Sequence, residues 1–373
     1  MIRRELTHTE RVDWLRLART PQVGPVTFSK LISAFGSASN ALTELPELAA
    51  KGGRAKAMKI VTRDEAEAEL DATTNYGART SMACESDYPD LLAVLDPPPP
   101  VISVHGPLDA NALPCCAIVG SRNASAVGVR FARDLARDLG QAGITIVSGL
   151  ARGIDGAAHA GSLETGTIAV LASGIDHIYP PEHVELHQSI ARQGLLVTES
   201  RIGSTPTARD FPRRNRLISG LSLGTVVIEA AMRSGSLITA RLAGEQGREV
   251  MAAPGSPLDP RAKGTNKLIR DGAALIENAD DVLEILSQAK RPLAAEPDHT
   301  RFKIEDLTET EHSVRAKVMD LLSTTPVSID ELIRQTGAPA GKIHGVLIEL
   351  ELAGRANVSP GGLVHRVYDG DDD

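Results

Sequence analysis

The spacing of apolar residues divides the chain into three stretches. Across residues 10–80, apolar positions recur every three to four residues in short blocks, the period of helices with one buried face. Val12 and Leu17 bound the first block; Phe28, Leu31, Ile32 and Phe35 form the second; Gly36-Ser37 separates it from a third that begins at Ala38. Between the first two lies Gln22-Val23-Gly24-Pro25-Val26-Thr27, a Gly-Pro turn with Thr27 placed to cap the next helix. Helix, Gly turn and helix predict a helix-hairpin-helix or SAM-like module. Such a module serves equally to touch a nucleic-acid backbone through turn amides or to pack against protein.

Across residues 115–286 the pattern changes. Short apolar runs at 115–119, 144–147, 167–171, 195–198, 225–228 and 249–253 alternate with helical stretches such as 127–139. Most runs end on Gly or Ser: Gly120, Ser148-Gly149, Ser173-Gly174, Ser200 and Gly255. Alternation of this kind predicts an α/β fold with a doubly wound parallel sheet, whose ligands bind outside the carboxyl ends of the strands. Helical spacing returns at 314–322, 328–335 and 340–352, followed by a hairpin around Ser359-Pro360-Gly361-Gly362, which predicts a winged helix. Ser328 and Glu331 stand at capping-box spacing. The expected organisation is a SAM-like helical domain over 1–80 and a Rossmann-like domain over 81–289, entered through a Pro-rich connector at 81–114. A linker at 290–310 and a winged helix over 311–373 with an acidic tail complete it.

Composition agrees with two or three folded domains. The 373 residues are 42% hydrophobic and 24% charged, which excludes a wholly disordered chain. No apolar run approaches the roughly 18 residues of a membrane span. The start, Met1-Ile2-Arg3-Arg4-Glu5, has no apolar stretch behind it, and Cys84, Cys115 and Cys116 lack zinc spacing. A cytoplasmic protein without metal or cofactor is expected.

Net charge is −8, which on its face argues against a nucleic-acid partner, but its distribution changes that picture. Residues 111–289 carry 18 basic and 18 acidic side chains, and 16 of the basic ones are Arg, whose planar fork suits phosphate oxygens. One cluster, Arg201, Arg209, Arg213, Arg214 and Arg216, stands against Asp210 alone; a second comprises Arg261, Lys263, Lys267 and Arg270. Each cluster could also be a solvated loop.

Candidate chemistry gathers at the predicted strand ends. Gly120-Ser121-Arg122-Asn123 follows the first strand and opens a helix, where free amides and the helix dipole favour an anion. It lacks the spacing of a Walker A or a dinucleotide fingerprint. Ser148-Gly149-Leu150-Ala151-Arg152-Gly153-Ile154-Asp155 repeats the theme, with His159 four residues beyond an Asp that could be a base or a cap. Phe211-Pro212-Arg213-Arg214-Asn215-Arg216 is the sharpest feature: one of only five Phe residues, expected in a polar loop, stands among arginines. A base can stack on the ring, Arg can hold phosphate, and the Asn amide can bond a base edge. The plainer alternative tucks Phe211 into the core and pairs the arginines with acids such as Glu229. Ser234-Gly235-Ser236, and Gly264-Thr265-Asn266-Lys267 beside Lys263, add amides and polar groups at the same edge. No nucleophile elbow and no metal-ligand cluster is present in the sequence, and no catalytic residue is assigned.

The motifs at 117–122, 147–155, 211–216, 234–240 and 253–255 stand in the order seen in the DNA-processing protein A (DprA, or Smf) family, which the chain resembles. The resemblance implies an extended Rossmann-like domain that binds single-stranded DNA without sequence preference and dimerises. It further implies loading of a RecA-type recombinase onto the strand in natural transformation and competence or in recombination, without enzymatic activity. Arg122 matches the family's phosphate-contacting Arg, and Phe211 its base-stacking aromatic. Arg209 stands where the family often has a lysine. Gly120, Ser121, Gly149, Arg152, Arg213, Arg214, Asn215, Arg216, Ser234, Gly235, Ser236, Lys263 and Asn266 complete the expected DNA-binding set. The winged helix departs from a duplex reader, because residues 301–373 hold 8 basic against 13 acidic side chains. A second reading is a nucleotide phosphoribohydrolase of the lysine-decarboxylase-like class. Gly224-Thr225-Val226-Val227-Ile228-Glu229 keeps that class's Gly-Thr and Glu but lacks its Pro-Gly-Gly.

Overall fold

The structure, a computed structural model, describes residues 3–53, 58–289, 310–359 and 361–367. Nearly all of the expected linker and the whole acidic tail lie outside the described residues. The chain divides into two compact units. One comprises Met1–Ala68, Asp96–Pro100 and Ala295–Asp373, and the other Glu69–Leu95 and Val101–Ala294.

The first unit opens with α1 (His8–Arg19), α2 (Pro25–Phe35) and α3 (Ala38–Lys51). Thr7 and Glu10 form a full capping box on α1. The Gly-Pro turn starts α2 differently from expectation: Gly24 takes the cap position and Pro25 the first helical one. Thr27 therefore lies inside the helix, buried. The chain passes into the second unit within α4 (Arg63–Asn75).

The second unit runs β1 (Arg79–Met82), α5 (Asp90–Ala93), β2 (Val101–His105), β3 (Cys115–Gly120), α6 (Ala126–Gln141), β4 (Thr145–Ser148), α7 (Ile154–Ser162) and β5 (Thr167–Val170). It continues through α8 (Val184–Gln193), β6 (Leu195–Thr198), α9 (Asp210–Gly220), β7 (Gly224–Ile228), α10 (Gly235–Glu245), β8 (Glu249–Ala252), α11 (Lys263–Arg270), β9 (Ala274–Leu275) and α12 (Ala279–Gln288). These strands form one nine-stranded sheet in the order β1-β2-β6-β5-β4-β3-β7-β8-β9. From β6 to β9 every pairing is parallel, whereas β1 and β2 add an antiparallel edge.

The six apolar runs become the central strands. β3, β4, β5, β6 and β7 are buried along almost their whole length because helices cover both faces of the sheet. Ile118, Ile146, Val226 and Met251 meet Ala132, Leu135 and Leu139 of α6 in the main core. The expected connector 81–114 instead carries β2, which pairs Val104 with Val197 and extends the sheet. Four prolines just before Val101 obscure this strand in the sequence. Because β3 has β4 on one side and β7 on the other, the winding direction reverses there, which opens a crevice at the carboxyl edge.

The first unit resumes with α13 (Thr310–Leu321), β10 (Val327–Ser328), α14 (Ile329–Thr336), α15 (Ala340–Leu352), β11 (Ala356–Ser359) and β12 (Leu363–Arg366). The three strands pair in the order β10-β12-β11, the wing of a winged helix. Ser328 caps α14 by accepting the Glu331 N–H at 3.2 Å. The reciprocal half of the expected box is missing, because Arg334 holds the Glu331 carboxylate at 2.6 and 2.8 Å.

Candidate functional site

The turns after β3, β4 and β7, with the start of α9, enclose a cleft of about 360 Å³ at the reversal point of the sheet. Gly120, Ser121 and Arg122 line it from the β3 turn, Phe211, Arg214 and Asn215 from α9, and Arg233, Ser234, Gly235 and Ser236 from the start of α10. A narrow extension adds Gly149, Arg152 and Tyr179 beside Arg122, Phe211 and Arg214.

Backbone contacts make this edge rigid. Gly153 caps α7 with φ at +76°, and a Cβ there would lie 2.3 Å from the Ser121 carbonyl oxygen. Only glycine lets the turns after β3 and β4 touch in this way. The buried Asp155 carboxylate accepts the N–H groups of Gly149 at 3.1 Å and Ala151 at 3.4 Å and so folds the β4 turn. Burial raises its pKa, and the nearby Arg214 opposes that rise. Ser125 caps α6 by accepting the Gly128 N–H at 3.0 Å, and its own N–H donates to Glu229 at 2.8 Å. The Ser125 hydroxyl donates to the same carboxylate. Glu229, the acid on which the hydrolase reading depended, is thus engaged in holding the start of α6. Ser234 caps α10, accepting the Ser236 N–H at 3.3 Å. The first turns of α6, α7, α9 and α10 all face this edge, and their amides and dipoles favour an anion.

The aromatic at the cleft is held differently from expectation. Phe211 lies in the first turn of α9 rather than in a loop. The helix starts early because the Asp210 carboxylate accepts both the N–H and the hydroxyl of Thr207, at 2.8 and 2.7 Å. Half-buried, the Phe211 ring carries the Arg122 guanidinium 5.0 Å from its centroid, and Tyr179 tilts against it at 5.5 Å. Guanidinium and ring attract through the ring quadrupole.

The arginines around it divide by role. Arg122, Arg152 and Arg233 are exposed; Arg152 lies 3.5 Å from Glu182. Arg214 is buried and donates through Nη1 to the carbonyls of Gly149 at 2.6 Å and Val170 at 2.5 Å. Burial lowers its pKa to about 10. It ties the ends of β4 and β5 to α9. The amide of Asn215, expected to be free for a base edge, is already bonded: it donates to the Gly235 carbonyl at 3.2 Å and accepts from Arg214 Nε at 3.3 Å. Arg213 and Arg216 pair with Glu199, not with Glu229. Arg209 is exposed at the start of α9, Lys263 is exposed at the start of α11, and Asn266 is bonded at both ends of its amide to Gly255. None of these last five residues lines the cleft. His159 does not meet Asp155; its ring bonds Thr167 at 2.7 Å, and burial pushes its pKa down to about 3.

Two cleft residues escaped the sequence reading. Arg233 stands directly before Ser234-Gly235-Ser236, so its neighbours carried the signal. Tyr179 follows from the argument that singled out Phe211, since aromatics are only 3% of the chain. Among the described residues no group of three or more His, Cys, Asp or Glu could hold a metal ion, and no helix is long and apolar enough to cross a membrane.

Comparison with known proteins places this architecture. Residues 79–287 match the family described as DNA recombination-mediator protein A, 8–72 the DprA-like N-terminal HHH domain, and 305–362 the DprA winged helix domain. Protein Smf of Escherichia coli is 42% identical over 281 residues, 74% of each chain. DNA processing protein A (DprA) of Streptococcus pneumoniae superimposes with a TM-score of 0.63 at 31% identity, covering 78% of this chain and 100% of that one. DNA processing protein A of Helicobacter pylori, described for its single-stranded DNA binding mode, does so with a TM-score of 0.52 at 29% identity, covering 57% of this chain and 97% of that one.

Proposed function

This chain belongs to the DNA recombination-mediator protein A (DprA/Smf) family, and from that premise we propose that its cleft binds single-stranded DNA without sequence preference. The observation that carries this reading is the Arg122 guanidinium over the face of Phe211, at the mouth of a cleft ringed by helix N-termini. A base and the guanidinium compete for the same flat ring. A strand that stacks a base on Phe211 displaces Arg122 toward the adjoining phosphate, so one movement makes both contacts. Arg233, Gly120, Ser121 and Gly235 line the path of neighbouring phosphates. Every base has a π-face and every nucleotide a phosphate, so contacts of this kind do not select sequence.

Loading of a RecA-type recombinase, dimerisation through the sheet-bearing unit, and a cytoplasmic place of action belong to the same proposal and rest on the family alone. The hydrolase reading is not carried forward, because its one retained acid holds Ser125. The test is fluorescence anisotropy of a labelled oligo-dT at two salt concentrations with duplex competitor. The proposal expects salt-sensitive binding that duplex fails to displace. Absence of binding at low salt by folded protein would sink it.

A further inference from the structure

The described part of the winged-helix module has an unusual third helix. In helix-turn-helix proteins this helix lies in the major groove and presents polar side chains to base edges. Here α15 is buried on every side over its last two turns: all eight residues from Gly345 to Leu352 are buried. Burial all round, with Glu349 and Glu351 included, means that this stretch is enclosed on both faces. Ile343, Val346, Leu347 and Leu350 fill the winged-helix core, whereas Ile348 and Leu352 are buried outside that cluster. What covers them is the N-terminal helical module, since α15 lies against α3 and α2 in the same compact unit.

Polar groups lock this contact. Buried Glu351 accepts the Thr27 hydroxyl of α2 at 3.1 Å and the Val358 N–H of β11 at 2.9 Å. The Lys30 ammonium is enclosed, within electrostatic reach of Glu351. Within the winged helix itself, Arg315 of α13 holds the fully buried Glu349 at 2.6 and 3.0 Å. The backbones come close at Gly52, just after α3, where a Cβ would stand 2.0 Å from the Glu349 carbonyl oxygen and 2.9 Å from the Ala353 Cβ. Gly52 has φ at −67°, a conformation open to any residue, so glycine is needed there for the contact and not for the turn.

We propose that the winged helix is a clasp: its third helix binds the helical module of its own chain through its last two turns, which a helix entering a duplex groove would have to leave uncovered, and the module does not read duplex. The proposal is independent of the cleft in the other unit, so either can fail alone.

The test uses the full chain with a specific protease site inserted between residues 295 and 296. After cleavage the winged-helix piece is expected to elute with the remainder as one species of unchanged mass. Gly52→Leu, which leaves the cleft untouched, is expected to release the piece while oligo-dT affinity stays at the wild-type value. Release from the wild-type chain, or exchange of the piece between differently tagged copies before cleavage, would overturn the assignment. Should Gly52→Leu fail to fold, Lys342→Glu in the intact chain decides. A duplex reader would lose about tenfold or more in duplex affinity on that reversal, whereas the clasp predicts no change.

Discussion

The carboxyl edge of the large sheet and the third helix of the winged-helix module both set charged residues among apolar ones, and they direct those charges in opposite senses. At the edge, Arg122, Arg152 and Arg233 remain exposed beside a half-buried aromatic. In α15, Glu349 and Glu351 point into the protein and are bonded there. A net charge of −8 does not say which of the candidate nucleic-acid modules faces DNA. Burial decides it, because a charge bonded inside the fold has no contact to give a ligand, and removing its partner leaves it desolvated and unpaired.

That contrast can be broken within the cleft itself. Arg214→Ala removes donors to two buried carbonyls and leaves Asp155 without its neighbour, so a loss of about 3 kcal/mol or more in unfolding free energy is expected in a urea titration. If the variant keeps full stability but loses oligo-dT binding, the inward charge is a ligand contact and the contrast fails. Phe211→Ala should cost about 1–3 kcal/mol of single-strand affinity, about five- to 150-fold, with little change in Tm because the ring is only half-buried.

Acid should act on the buried histidines of the sheet-bearing unit. The pKa of His159 is about 3 in the fold against 6.5 for a free imidazole, so between those values the unfolded chain binds the extra proton and stability falls as pH falls. Going from about pH 7 to about pH 5 should cost about 2 kcal/mol through this one group. His187, whose pKa burial lowers to about 4, acts in the same direction. Asp155, whose pKa burial raises, acts in the opposite sense and adds stability as pH falls through that raised value. His159→Gln should flatten the dependence of Tm on pH across this window. Arg122→Ala sharpens the contrast: one lost phosphate contact should lower the slope of log affinity against log salt by about 0.7. The smallest effect belongs to Arg213, exposed and 3.5 Å from Glu199: Arg213→Ala should change stability by less than about 1 kcal/mol and oligo-dT affinity by about twofold at most.

Much of this was legible beforehand. Apolar runs bounded by Gly and Ser marked the six central strands, because a strand covered on both faces must be apolar along its length. Arg122 stands out in the sequence by its type directly after a strand end, and Phe211 as a rare aromatic among arginines. β2 is not legible there, since five residues after a proline run show no alternation and take their place only by pairing with β1 and the distant β6. The sequence predicts a loop at Phe211 because arginines interrupt the apolar period of α9, whose start depends on the Thr207–Asp210 bonds. Nothing local in the sequence reveals that the Asn215 amide meets the Gly235 carbonyl twenty residues on.

By itself the sequence determined the classes of element, the three modules and the edge at which chemistry would gather. These follow from periodicity and from local turn chemistry, which act between residues a few positions apart. Only the tertiary structure decided which charges face solvent and which face the protein. Arg122 stays at the mouth while Arg214 turns inward, and α15 is covered by helices three hundred residues earlier in the chain. That choice depends on which distant surfaces come together and exclude water, and a pattern of neighbouring residues does not carry it.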